Sequence, residues 1–200
     1  MPLLRLRFLL GAIAILCVAP ACTDDVAAPE SAAPVESPTF KVIPTYAADI
    51  IVEPSGGVFT LGRHSIWFPA NSICDPATSS YGLTEWDQPC TPISEPIRIH
   101  AKLREQDGRS WVDFSPELRF VPSNDERRWV YLFMSTRESK RRRGNNVPTI
   151  LWSPAIGVPG IDESLTDRTL ETRWSKQYGG VYRRIKHFSG YNVHSGYMAY

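Results

Sequence analysis

Ile97, Ile99, Ala101 and Leu103 alternate with Arg98, His100, Lys102 and Arg104. A period of two puts one side of a strand in a core and the other in water. Gln106-Asp107-Gly108 supplies a turn, and 111–114 returns as the partner strand. Short runs of the same type recur at 50–52, 58–61, 64–68, 149–152, 169–174, 181–187 and 191–194, with Leu118 and Phe120 alternating between Glu117 and Arg119. The runs 58–61 and 64–68 flank Gly62-Arg63 and predict a hairpin. Segment 129–134 is apolar on both sides, which suits a central strand. No stretch keeps a helical period, and 163–172 is the one candidate for a helical turn. Many short strands with frequent turn residues predict an all-β fold, a single antiparallel β-sandwich.

The pattern changes before residue 49. Arg5 and Arg7 precede an uncharged apolar run over 8–18, and Ala19-Pro20-Ala21 places small residues at the end. This is the layout of an export signal, and the run is too short for a comfortable membrane span. Residues 23–48 are rich in Ala, Pro and Ser, with Asp24, Asp25, Glu30 and Glu36 against Lys41. They predict an unstructured tether, although 40–48 also suit an edge strand. The expected division is a signal at 1–21, a tether at 22–48 and the sandwich at 49–200.

Composition agrees with one ordinary domain: 42% hydrophobic and 22% charged in 200 residues, with net charge +1. Loss of a 21-residue signal leaves 179 residues and removes two arginines, so the charge becomes −1. Neither value argues for a nucleic-acid partner. Four cysteines refine the picture. Cys17 lies in the signal. Cys22 follows its small residues and resembles the lipidated cysteine of bacterial lipoproteins, with Thr23 in the position that by resemblance directs such proteins to an outer membrane. Cys74 and Cys90 remain, an even pair in an oxidising compartment, and predict a disulfide; two free thiols are the alternative. The resemblance implies attachment to a membrane through the N-terminal lipid.

Residues 56–73, GGVFTLGRHSIWFPANSI, resemble the opening of the ZU-type β-sandwich domain found in ankyrins, netrin receptors and zonula-occludens scaffolds, with relatives in bacterial envelopes. Gly56-Gly57, the two short strands and Pro69 match. At the corner that follows, Asn71 stands where the family has Gly, a substitution that left-handed backbone tolerates. His187-Phe188-Ser189-Gly190-Tyr191 resembles the closing strand of the bacterial relatives. Between these two segments only the strand rhythm matches.

The resemblance implies one reaction. Some ZU-type domains cut themselves between the Phe and Ser of such a tripeptide, which here makes Ser189 the nucleophile, Phe188 the donor of the scissile carbonyl and His187 the base. The plainer reading is a strand in which His187 shares a core face with Ile185, Tyr191 and Val193. A second candidate is the long connection 72–96, where Tyr81, Trp86 and Asp87 sit between the paired cysteines and suit glycan or peptide binding, with Trp67 as a further ring. The alternative there is an excursion whose aromatics cover the sandwich edge. The run 137–143 carries net +4, and Lys140, Arg141, Arg142 and Arg143 at the tip of a hairpin between 128–135 and 147–152 suit an anionic lipid or envelope polymer. His64, His100 and His194 lack metal-pair spacing, and the acids at 125–126 and 162–163 suit solvated turns. No cofactor or metal is implied. The expectation from sequence alone is a non-enzymatic binding or structural role in the cell envelope, with self-cleavage as the rival and a carbohydrate-binding module as the second rival.

Overall fold

The computed structural model describes residues 46–106, 109–136, 148–154 and 158–194. The signal, Cys22, residues 23–45 and the basic run with Lys140, Arg141, Arg142 and Arg143 lie outside the described residues.

Among the described residues ten strands form two antiparallel sheets of five. In chain order they are β1 (Tyr46–Val52), β2 (Gly57–Leu61), β3 (His64–Phe68), β4 (Ile97–Gln106), β5 (Arg109–Ser115), β6 (Val130–Ser135), β7 (Thr149–Ser153), β8 (Arg173–Ser175), β9 (Gly180–Ile185) and β10 (Gly190–His194). The first sheet runs β1-β4-β5-β10-β7 and the second β2-β3-β6-β9-β8. One core joins them: Ile99, Val112, Phe114, Ile150 and Tyr191 from the first sheet meet Leu61, Ile66, Leu132, Met134 and Ile185 from the second. The alternation in β4 is borne out, since Ile99 and Ala101 are fully buried and Leu103 nearly so.

β1 begins at Tyr46 and pairs with β4 along its whole length. β2 and β3 form the expected hairpin around Gly62. Backbone crowding explains two residues near it. A Cβ on Gly56 would stand 2.1 Å from the Phe68 carbonyl oxygen. Asn71 takes a positive φ of 56° and donates its amide to Pro54 O at 2.7 Å, the conformation its side chain tolerates.

Three expectations are corrected. Segments 128–135 and 147–152 are not arms of one hairpin: β6 pairs with β3 and β9, whereas β7 pairs with β10 in the other sheet. Both segments are buried apolar strands, so sequence adjacency could not reveal that the chain changes sheets between them. Segment 169–174 is mostly turn: 3-10 turns at Glu163–Leu165 and Arg168–Leu170 precede the three residues of β8. Asp162 and Asp167 cap these turns by accepting backbone amides, the usual work of Asp at such a position. The third concerns 181–187. β9 stops at Ile185, and the chain leaves the second sheet there to enter the first at Gly190.

Candidate functional site

The crossing from β9 to β10 consists of Lys186, His187, Phe188 and Ser189, with no ladder pairing beyond one bridge from His187 to Arg119. Two contacts anchor it. The Phe188 ring is fully buried, stacked on Phe114 at 4.4 Å between centroids and edge-on to Phe120 at 5.0 Å. The Phe188 amide donates to Leu118 O at 2.6 Å. Gly190 then enters β10 against β7, where a Cβ would lie 2.7 Å from Ser153 O. The Phe188–Ser189 peptide is thus held from both sides by core and sheet.

His187 is fully buried, and both of its ring nitrogens face side chains. Nε2 lies 3.1 Å from Glu163 Oε1. Nδ1 lies 3.3 Å from Ser189 Oγ and 3.4 Å from the Tyr81 hydroxyl. Glu163 is itself buried, with its other oxygen accepting from Arg183 at 2.7 Å. Arg183 also donates to Ile150 O at 2.8 Å, so the carboxylate is paired as a buried charge requires.

These partners assign the protons. A paired carboxylate can only accept, so Nε2 carries hydrogen and donates to Glu163. In the neutral imidazole Nδ1 is then the acceptor. The Tyr81 hydroxyl spends its hydrogen on the Phe188 carbonyl oxygen at 2.5 Å, and burial pushes the Tyr81 phenol up to about 12, so it remains a donor. Trp152 Nε1 donates to Ser189 Oγ. Ser189 therefore has one hydrogen to give, and Nδ1 is positioned to take it. The Ser189–His187–Glu163 order matches the logic of a nucleophile, its base and the group that orients the base.

Aromatic rings enclose the imidazole. Trp86 stacks on it at 3.6 Å with 16° between planes, and Trp152 meets it edge-on at 5.4 Å. Tyr191 donates to His187 O at 2.8 Å. Burial pushes the Tyr191 phenol well above its ordinary range.

The long connection supplies two of these groups. Cys74 and Cys90 are joined as a disulfide, and Tyr81, Trp86 and Asp87 lie inside the loop it closes. Tyr81 and Trp86 turn toward the tripeptide. Asp87 is exposed and pairs with Lys186 Nζ at 2.6 Å, and the same ammonium meets Asp167 at 2.6 Å. Burial raises the Asp167 carboxyl, but hydrogen bonds from Lys186 and Thr169 outweigh it and hold the group at about 2.

Sequence reasoning brought forward His187, Phe188, Ser189, Tyr81 and Trp86, but as two unrelated candidates; the fold makes them one cluster. It missed Glu163, Arg183 and Trp152. Glu163 had the features of a solvated turn acid, and the turn capped by Asp162 instead directs it inward. Nothing local marked it, because its partner lies 24 residues on. Trp67 lies elsewhere, on the outer side of the second sheet, parallel to Tyr131 at 5.8 Å with 6° between planes. Among the described residues no cluster of His, Cys, Asp and Glu could hold a metal ion.

Neither a scan of protein-family models nor searches of curated proteins and of solved structures returns a match to this chain.

Proposed function

We propose that this protein is an exported, lipid-anchored β-sandwich that cleaves its own chain between Phe188 and Ser189. The observation that carries the reading is the convergence on one peptide bond of a nucleophile with its oriented base and a donor on the carbonyl oxygen. Ser189 Oγ is 3.3 Å from His187 Nδ1, and the Tyr81 hydroxyl is 2.5 Å from Phe188 O. The non-enzymatic role favoured by sequence alone does not explain why a buried base, acid and phenol meet there.

The chemistry follows from these positions. His187 Nδ1 takes the hydroxyl proton as Ser189 Oγ attacks the Phe188 carbonyl carbon. Attack closes a small ring of Oγ, Cβ, Cα, N and that carbon, and the oxygen of the tetrahedral adduct gains negative charge. Tyr81 donates to that oxygen, and such a donor is worth about 10²- to 10³-fold in rate. Glu163 stabilises the imidazolium formed at His187, which Trp86 shields from water. The imidazolium gives its proton to the Ser189 nitrogen, the C–N bond breaks, and an ester links Phe188 to Ser189 Oγ. Water then cleaves the ester, leaving a Phe188 carboxylate and a free Ser189 amine. The β10 ladder survives this change, because strand β10 pairs with both β5 and β7.

Denaturing electrophoresis of the folded protein tests the reading. Wild type migrates as residues up to 188 and a short C-terminal piece, whereas Ser189→Ala stays intact. An intact wild-type chain refutes it. Export and anchoring rest on the sequence of 1–22. Mass spectrometry of the mature N-terminal peptide checks them: an acylated Cys22 is expected, and a mature chain that starts elsewhere removes the anchor.

A second reading, glycan binding, has its support at Trp67 and Tyr131. Parallel partly exposed rings suit the flat faces of pyranoses. A glycan array decides it: binding that Trp67→Ala abolishes supports the reading, and no binding above background removes it.

A further inference from the structure

The loop between Cys74 and Cys90 has no core of its own. Both ends are tied to the sandwich: the Cys74 amide donates to Arg119 O at 3.0 Å and the Asp75 amide to Thr91 O at 2.8 Å. Between the two cysteines every residue is at least partly exposed, and Leu83 is 70% exposed. Past Asp75 its backbone bonds are local turns, such as the Glu85 amide on Gly82 O at 3.0 Å. Apart from the Tyr81 and Trp86 rings against His187 and Trp152, its hold on the sandwich is polar. The buried Arg119 guanidinium donates to Glu85 O at 2.7 Å, to Gln88 O at 2.5 Å and to Pro89 O at 3.3 Å. A segment whose packing rests on two half-buried rings opens locally at small cost unless something closes it. The disulfide is that closure.

The same loop carries the Tyr81 hydroxyl to the Phe188 carbonyl oxygen and the Trp86 ring to His187. Ser189, His187, Glu163 and Trp152 are supplied by other parts of the chain and do not depend on it. The loop's two contributions are the donor that stabilises the adduct and the ring that keeps water from the base. Opening the loop removes both and leaves the nucleophile and base in place.

We propose that formation of the Cys74–Cys90 disulfide switches on cleavage at Phe188–Ser189. The inference rests on the self-cleavage reading above. The two thiols lose two protons and two electrons to a disulfide oxidant, which is reduced to two thiols, and the closed loop then seats Tyr81 and Trp86 on the tripeptide. In a reducing compartment the chain folds its sandwich and stays whole; on reaching an oxidising one it matures. Closing a loop of this size shifts the balance between open and closed forms by on the order of 100-fold, and the cleavage rate follows the closed fraction.

The experiment uses the full chain made by cell-free synthesis in dithiothreitol, then moved into excess glutathione disulfide or kept reduced. Intact mass follows the appearance of residues 189–200. At least a tenfold faster release in the oxidised arm supports the switch. Equal rates in both arms overturn it and leave self-cleavage standing. No release in either arm overturns self-cleavage itself, and the switch with it. Hydrogen exchange on the Ser189→Ala chain separates a local effect from a global one. Protection of β6, β9 and β10 in both redox states, with 75–89 protected only when oxidised, is expected. Loss of β6, β9 and β10 protection on reduction would show that the disulfide serves the whole fold, and would overturn a switch confined to the loop.

Discussion

His64 and His187 are both buried histidines, 1% and 0% exposed, and they meet different partners. His64 stands at the start of β3, and its Nδ1 accepts the backbone amide of Ser135 at 3.1 Å. That bond helps hold β6 to its neighbour. His187 stands where the chain crosses between sheets, and its two nitrogens face a carboxylate and a serine hydroxyl. Burial and residue type are the same; the partners differ, a backbone amide for His64 and two side chains for His187. A regular strand offers backbone partners, whereas the break at 186–189 leaves room for side chains to converge.

Substitutions at and around the two histidines should separate them. Ser189→Ala removes the attacking oxygen, so no cleaved product should form over days; Trp152 Nε1 also loses its acceptor, so thermal unfolding should shift down, by less than for His64→Ala because Ser189 is half-buried. His187→Ala should slow cleavage by about 10²- to 10⁴-fold, the usual contribution of a general base; single-turnover kinetics after oxidation of the reduced chain measure it. Tyr81→Phe keeps the ring and loses the donor, and a fall of about 10²- to 10³-fold is expected. Because burial holds the Tyr81 phenol at about 12, the deficit should be constant from about pH 5 to 9. A deficit that vanishes at one end of that range would give Tyr81 another role.

His64→Ala is the counterpart. It leaves a buried backbone amide without its acceptor, which costs about 1–3 kcal/mol of stability, read from urea unfolding. Cleavage per folded molecule should be unchanged; a loss like that of His187→Ala would erase the distinction. Asp167→Asn has the smallest effect. The Asp167 carboxyl is held at about 2, below its ordinary 3.8. It therefore stabilises the fold above the ordinary value, and that contribution fades as pH falls toward about 2. The variant should be less stable than wild type near neutrality and converge with it in acid, as denaturant midpoints across that interval would show.

Strand rhythm made the sandwich legible, because a period of two survives wherever one side is wet, as in β4. It failed where both sides are covered: β6 and β7 looked like one hairpin and belong to different sheets. The tripeptide could be found because its three residues are consecutive. Its setting could not. Glu163, Tyr81 and Trp152 reach it from three separate stretches of chain, and each has an ordinary local reading as turn acid, loop aromatic or strand aromatic. Cys74 and Cys90 were legible as a pair by count, but that their loop closes over the tripeptide is a fact of tertiary packing.

Intact-mass spectrometry of the oxidised, folded protein under denaturing conditions tests the central claim most directly. Two chains are expected, the smaller beginning at Ser189 with a free amine and the larger ending at a Phe188 carboxylate. A single uncut chain, after prolonged incubation with the disulfide formed, would contradict it.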